Sequence, residues 1–88
     1  MPRFFFDTYD GERMLSDIDG VEFAKVEEVR EAAVEALPGI ARDRLPGGDE
    51  MEMWVKVRDT AGQPVFEAFL KFSSRWTLRR KAGQRGSF

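Results

Sequence analysis

The sequence predicts a two-layer α+β domain, in which a mainly antiparallel β-sheet with the element order ββαββ is covered on one face by one amphipathic helix. Between Met51 and Phe72, apolar and polar residues alternate on both sides of a turn, which indicates a β-hairpin. Between Lys25 and Leu45, apolar residues recur at intervals of three and four, which indicates a helix with one buried side. The 88 residues leave room for one domain with a small core.

The register of the hairpin follows from its alternating residues. If opposed residue numbers sum to 123, four apolar pairs share the inner face: Val57 with Phe66, Val55 with Ala68, Met53 with Leu70, and Met51 with Phe72. The outer face then carries two charge pairs and one aromatic pair: Lys56 with Glu67, Glu52 with Lys71, and Trp54 with Phe69. A sum of 121 suits a four-residue loop over 59–62, with Gly62 in the left-handed region, but loses the charge pairs. We favour 123, because each cross-strand pair contributes up to about 1 kcal/mol.

We expect the first strand to run from Arg3 to Tyr9, because its residues alternate between two faces. Phe4, Phe6 and Thr8 share one face, and Phe5, Asp7 and Tyr9 share the other. Asp10-Gly11 is a strong turn dipeptide, so we expect a short returning strand over residues 12–15.

A second turn follows at Asp17-Ile18-Asp19-Gly20. Alternating aspartates before a glycine also begin an EF-hand calcium loop, but that register places Leu15 and Val26 where the loop needs oxygen ligands. We therefore interpret the segment as a solvated turn without a metal. Beyond it, Val21 and Phe23 offer two inward apolar positions.

The predicted helix spans about Lys25 to Leu45, and five residues form its apolar side: Val26, Val29, Ala33, Leu37 and Ile40. Glutamates lie in its first half and Arg42 and Arg44 near its end, the charge order that suits the helix dipole. Pro38-Gly39 interrupts this pattern. Since an interior proline costs about 3 kcal/mol, we predict a kink there, with a full break as the alternative. Pro46-Gly47-Gly48-Asp49 should end the helix.

Composition excludes several kinds of chemistry. The chain has no cysteine and no histidine, which removes disulfides, thiolate nucleophiles, histidine bases and zinc fingers. The carboxylates fall in turns or along the helix, and no pair is marked as buried. No apolar run is long enough to span a bilayer, and the N-terminal apolar stretch is too short for a signal peptide. We therefore expect a cytoplasmic protein that is not an enzyme and binds no cofactor.

Charge is distributed unevenly along the chain. The formal net charge is −2, but residues 73–88 contain five basic residues and no acid: Arg75, Arg79, Arg80, Lys81 and Arg85. Residues 1–72 hold 9 basic against 16 acidic side chains, a net charge of −7. We interpret residues 1–72 as the α+β domain and residues 73–88 as a flexible basic tail. The tail is either a solvated terminus or an electrostatic contact for nucleic acid or an acidic partner.

Several segments carry a resemblance to a known family. They are Met1 to Asp7, Asp19-Gly20-Val21-Glu22-Phe23, the helix with Ile40-Ala41-Arg42-Asp43, and Val57-Arg58-Asp59 through Gly62 to Pro64-Val65. In these segments the chain resembles an uncharacterised family of small bacterial proteins, a domain of unknown function whose members open with Met-Pro-Arg, an aromatic residue, Phe-Phe and Asp or His. The resemblance covers most of residues 1–72. It supports the predicted fold and implies no mechanism.

The open face, which is the side of the predicted sheet away from the helix, carries large apolar residues where polar ones are usual. We take four of them as a candidate interface, with Tyr9 as an optional fifth member: Phe5, Trp54, Val65 and Phe69. These residues have three alternative interpretations. They form an ordinary cross-strand aromatic pair, they are covered by the chain's own Trp76 and Leu78, or they mark a contact surface for a partner.

We favour the contact surface, and so a small protein-protein interaction module that is homodimeric or accessory to another protein. The alternative is a small nucleic-acid-binding or regulatory protein, in which the aromatic residues stack on bases and the basic residues of the sheet face and tail contact phosphates. Glu52 and Glu67 on the same face count against the alternative. We expect no membrane partner, because Trp76-Thr77-Leu78 supplies little apolar anchor.

Overall fold

The computed structural model describes residues 1–45 and 48–78, and it confirms the α+β class. One helix and five strands follow in the order βββαββ: β1 Arg3–Tyr9, β2 Met14–Leu15, β3 Val21–Glu22, α1 Glu27–Arg44, β4 Glu50–Arg58 and β5 Pro64–Ser73. The predicted order ββαββ therefore lacked one two-residue strand, β3.

The sheet is antiparallel at every pairing, in the order β2-β1-β4-β5. Strand β3 also pairs with β1, at the opposite end from β2. Strands β2 and β3 are thus two parts of one returning segment, which the Asp17–Gly20 turn interrupts. The long strand β4 occupies the centre, since β1 and β5 pair with its two edges.

The hairpin of β4 and β5 has the predicted register of 123, and the alternative of 121 is wrong. Every pair from Glu50 and Ser73 to Val57 and Phe66 obeys that sum. The next pair joins Arg58 to Pro64, so Val65 is an extra residue on β5 and forms a β-bulge.

This bulge reconciles the register with the chemistry of the turn. Gly62 has a φ of +82°, the left-handed conformation that we had linked to the other register. The Asp59 carboxylate accepts the N–H groups of Ala61 and Gln63, both at 2.9 Å, which fixes the loop. Because the extra residue is accommodated in β5, the charge pairs and the glycine turn are both kept.

The core lies between α1 and the inner face of the sheet. Its buried residues are Phe4, Val29, Ala33, Leu37, Met53, Val55 and Val57. Phe6, Phe23 and Phe66 are half-buried and pack against this set. The predicted alternation is confirmed most fully in β4, where Met53, Val55 and Val57 are buried, Met51 is half-buried, and no outer residue is buried.

Three residues that we had assigned to the buried side are exposed instead. Val26 precedes the first helical residue, so it lies outside the regular apolar side of the helix. Val21 belongs to the short outer strand β3, and Leu70 to the edge strand β5, where it keeps 37% of its surface exposed. Val21 and Leu70 are therefore exposed because each lies at an edge of the sheet.

The helix continues through Pro38, so the alternative of two separate helices is wrong. Pro38 and Val34, whose carbonyl would receive the missing hydrogen bond, are both on the exposed side. At the start of the helix the Glu28 carboxylate accepts the N–H of Lys25 at 3.0 Å, one residue before the N-cap Val26, whose own side chain makes no capping bond. The helix ends at Arg44, ahead of the predicted terminator, of which Pro46 and Gly47 lie outside the described residues.

Among residues 1–45 and 48–78, no helix is both long and apolar enough to cross a membrane.

Candidate functional site on the open sheet face

The open face is organised in rows that run across the strands. Tyr9, Trp54 and Phe69 are directly opposite one another on β1, β4 and β5, and we call these three residues the aromatic row. Its neighbour toward the start of β1 is a charged row of Asp7, Lys56 and Glu67. On the other side, Glu52 and Lys71 form a shorter charged row. Strand alternation places all three rows opposite the helix.

The aromatic row is held by one ring stack and by the Lys56 side chain. The Tyr9 and Trp54 rings are stacked, with centroids 5.5 Å apart and planes inclined by 26°. The Lys56 Nζ lies 4.4 Å from the Trp54 ring centroid and 6.0 Å from that of Phe69. Phe69 nevertheless keeps 51% of its surface exposed. The row is therefore a fixed aromatic surface that is not fully covered by the rest of the described chain.

The charged rows confirm the cross-strand pairs predicted from the sequence. Lys56 Nζ is 4.0 Å from Glu67 Oε2, and Lys71 Nζ is 3.6 Å from Glu52 Oε2. All four side chains are substantially exposed, so each pair contributes less than about 1 kcal/mol to folding. Their larger effect is on the electrostatic potential of the open face. Each acid lies beside a base, so neither sign of charge dominates there.

A polar cluster closes the open face at the other end from Glu52. Arg58 donates from Nε to Asp7 Oδ2 at 3.0 Å and from Nη2 to the Asp17 carbonyl at 2.8 Å. The Asp17 N–H in turn donates to Asp7 Oδ1 at 2.9 Å. The Arg58 guanidinium also lies 4.7 Å from the Phe5 ring centroid. Arg58 thus joins β4 to β1 and to the turn after β2.

Asp17 replaces a missing strand neighbour of β1. Its carboxylate accepts the N–H of Phe6 at 3.0 Å, and those of Asp19 and Gly20 at 3.1 Å each. The bond from Phe6 is the main cause that lowers the pKa of Asp17. The segment is a turn, as predicted, but its first carboxylate is tied to the protein backbone and not merely solvated.

Gly20 is needed where this turn meets β1. Its φ is +71°, and a Cβ atom there would lie 2.9 Å from the Phe4 carbonyl oxygen and from Cε2 of Phe5. This close approach brings the turn into contact with the Phe5 ring. The same ring also contacts the Arg58 guanidinium.

The structure brings together only part of the predicted interface. Trp54 and Phe69 are neighbours, and Tyr9 completes their row. Phe5 is half-buried and lies opposite Arg58, two rows away. Val65 is 36% exposed and occupies the bulge, so it is not a regular member of the face. The centre of the candidate site is the aromatic row.

The sequence analysis predicted the Lys56–Glu67 pair, but it missed the contact of Lys56 with the Trp54 ring and the roles of Arg58 and Asp17. A signal for Lys56 and Arg58 exists in the pairing of β1 with β4, where opposed residue numbers sum to 63. That register places Asp7 opposite Lys56 and Phe5 opposite Arg58, and each match is chemically favourable. For Asp17, no local signal separates a carboxylate that bonds a neighbouring strand from one that faces water.

The tail is described only as far as Leu78. Trp76 and Leu78, the suggested cover for the open face, are 69% and 55% exposed, and they leave half of Phe69 uncovered. Arg75 is exposed, and Ser74 is held by a 2.7 Å hydrogen bond from its N–H to the Asp49 carbonyl. The other predicted tail residues lie outside the described part of the chain: Arg79, Arg80, Lys81 and Arg85.

Within the described ranges, no group of three or more acidic side chains is placed to hold a metal ion. No curated protein and no solved structure matches this chain. A family model for a domain of unknown function, DUF6894, matches residues 3–71. These residues span β1 to β4 and most of β5, so the match covers the aromatic row and both charged rows of the open face. The chain therefore belongs to the DUF6894 family.

Proposed function

We propose that this protein is a protein-protein interaction module whose contact surface is the open face. The observation that carries the proposal is the aromatic row, a stacked Tyr9 and Trp54 beside a half-exposed Phe69 on the side of the sheet away from the helix. Tyrosine and tryptophan are enriched among the interface residues that contribute most to the binding free energy. The proposed role is binding and not catalysis, because the polar groups of the face are paired with one another.

The aromatic row is suited to binding because it is already ordered. Trp54 contacts both the Tyr9 ring and the Lys56 ammonium group, so part of its side-chain freedom is already lost before association. Regular strand pairing on both sides of β4 holds the row on a rigid element. A partner that covers Phe69 therefore gains apolar burial at a small entropic cost.

The charges of the face favour a protein over a nucleic acid. Four acids and four bases lie on the open face of the three long strands, so their formal charges cancel: Asp7, Glu50, Glu52 and Glu67 against Arg3, Lys56, Arg58 and Lys71. A surface that tracks phosphates needs unpaired cations. Here each cation lies beside a carboxylate, and residues 1–72 are acidic as a whole.

A photoreactive amino acid at position 69 tests the proposal in cells of the natural host. We expect a discrete crosslinked species from position 69 and none from position 34, since Val34 is exposed on the helix, on the opposite side of the sheet. Trp54→Ala should abolish the species, because loss of a central aromatic residue weakens binding by about 2 kcal/mol, or about 30-fold in Kd. Equal crosslinking from both positions, or none from position 69, would contradict the proposal.

Two controls complete the test. Circular dichroism and thermal melting must show that Trp54→Ala remains folded, which we expect because Trp54 is outside the buried core. Anisotropy of a labelled single-stranded oligonucleotide, at low and moderate salt, tests the competing nucleic-acid function. Binding that is strong at low salt and collapses at moderate salt would favour that alternative.

A further inference from the structure

The pattern of charges beside the aromatic row matches itself under one rotation. On this basis we infer that the occupant of the open face is a second copy of this chain, packed face to face about a twofold axis parallel to the aromatic row. The inference rests on the proposed function, since it names the partner of the same surface. Its test is arranged so that the two can fail separately.

Symmetry limits the arrangements to be considered. Two identical faces that meet must be related by a twofold axis lying in the plane between them. If the axis also passes over Trp54, the centre of the row, two regular choices remain. The axis runs either along the aromatic row, across the strands, or along β4, and the charged rows distinguish these choices.

An axis along the aromatic row brings opposite charges together. Lys56 on one side of Trp54 and Glu52 on the other are both on β4, so the rotation places Lys56 over Glu52 of the second copy. Glu67 and Lys71 are related in the same way on β5, so Glu67 meets Lys71 of the second copy. Each contact occurs twice in the dimer. The aromatic residues meet their own symmetry mates.

An axis along β4 has the reverse effect. It places Lys56 over Lys56 of the second copy and Glu67 over Asp7 of the second copy, because β1 and β5 exchange places. Both contacts are between like charges, which disfavour association. The charges therefore select the axis along the aromatic row. Both axes keep the strands of the two sheets roughly aligned, the usual way in which sheets pack face to face, so the charges alone make the choice.

The size of the face indicates a weak dimer. With a rise of about 3.3 Å per residue and a strand spacing of about 4.8 Å, the part of the sheet formed by β1, β4 and β5 measures about 30 by 14 Å. This footprint of about 400 Å² is small beside the roughly 800 Å² per partner of a standard interface. Self-association should therefore be measured up to high micromolar concentration.

Paired charge reversals test the arrangement while keeping the two cross-strand ion pairs of the hairpin. One variant carries Glu52→Lys with Lys71→Glu, and the other carries Lys56→Glu with Glu67→Lys. Each exchanges the two members of an existing cross-strand pair, so the Glu52–Lys71 and Lys56–Glu67 pairs are kept. The second variant also loses the contact of Lys56 with the Trp54 ring and places a carboxylate opposite Asp7, so circular dichroism must show that it is folded before it is mixed with the first. In either variant alone, all four contacts across the proposed interface become like-charge contacts. In a mixture of the two variants, all four become attractive again.

Sedimentation velocity on the full chain gives the readout. We expect the natural chain to dimerise, each double variant to show a Kd raised about tenfold or more, and the equimolar mixture to recover a dimer. Variants that dimerise as the natural chain does, or a mixture that stays monomeric, would overturn the proposed axis. A natural chain that is monomeric at high micromolar concentration would overturn the second copy as occupant. In that case crosslinking from position 69 to a protein of different mass would still support the proposed function.

Discussion

The carboxylate of Asp17 accepts the backbone N–H of Phe6 at 3.0 Å, at the point where strand β1 has no strand neighbour on its outer side. Strand β2 pairs with Thr8 and Tyr9, and β3 pairs with Arg3 and Phe4, so Phe6 lies in the gap between them. One side chain therefore supplies the acceptor that a neighbouring strand would otherwise give to the Phe6 N–H.

Asp17→Ala should lower the free energy of unfolding by about 2 kcal/mol, because three backbone N–H groups lose a charged acceptor. Urea denaturation measures the change. Asp19→Ala is the matched control, since Asp19 is an exposed carboxylate of the same turn, and we expect it to change stability by less than about 0.5 kcal/mol. Equal effects of the two substitutions would show that the bond to Phe6 contributes nothing.

Stability should fall in acid partly through the same residue. The Phe6 N–H lowers the pKa of Asp17 in the folded state below that in the unfolded chain. The stabilisation is therefore fully present above the ordinary aspartate pKa of about 4, and it is lost as the pH falls through the lower, folded value. Urea denaturation between pH 7 and pH 3 should show a smaller loss for Asp17→Asn than for the natural chain. Parallel pH profiles would contradict the assignment.

Val55→Asp should unfold the protein, because Val55 is fully buried between the sheet and α1, and a charge there has no partner. Val34→Asp makes the same chemical change on the exposed side of α1 and should leave a cooperative thermal transition. If the Val55→Asp protein were soluble and melted cooperatively, the assignment of the two sheet faces would be wrong.

Pro38→Ala should raise the melting temperature, because it restores the N–H that the continuous helix lacks and removes the crowding of the preceding turn. Part of the gain is offset by the greater freedom of the unfolded chain. Gly39→Ala provides a comparison without a change in hydrogen bonding. A Cβ atom there meets nothing within 4 Å, so we expect a gain of about 1 kcal/mol. A lower melting temperature for Pro38→Ala would mean that the helix needs proline at this position.

The fold was predictable where local patterns and pairing agreed. Alternation in β4 and β5 defined the faces, and the opposite charges of Lys56 and Glu67 selected the register of 123 that the structure has. Helical periodicity identified Val29, Ala33 and Leu37 as the buried side of α1. These features depend on neighbours within a helix or a hairpin, so the sequence carries them directly.

Features that depend on distant segments were not predictable in this way. The position of Asp17 beside Phe6 follows from how the turn packs on β1, and a turn signature has the same residues whether or not a strand lies next to it. The bulge at Val65 arises because the loop after Arg58 and the charge pairs of the hairpin favour different registers. One extra residue in β5 satisfies both. The centre of the candidate site was found, since Trp54 and Phe69 pair within the hairpin. Its extension to Tyr9 required the pairing of β1 with β4.

The position of β1 beside β4 has a consequence for how the chain folds. The β4–β5 hairpin closes a short loop, whereas contacts such as that between Asp7 and Arg58 join residues 51 positions apart. Long-range pairs form late, because closing the loop between them costs more entropy. In stopped-flow kinetics, Phe72→Leu in the hairpin should mainly slow folding, and Phe4→Leu in β1 should mainly speed unfolding. During synthesis the Phe4-Phe5-Phe6 segment emerges before β4 and remains without this long neighbouring strand until residues 50–58 have been made.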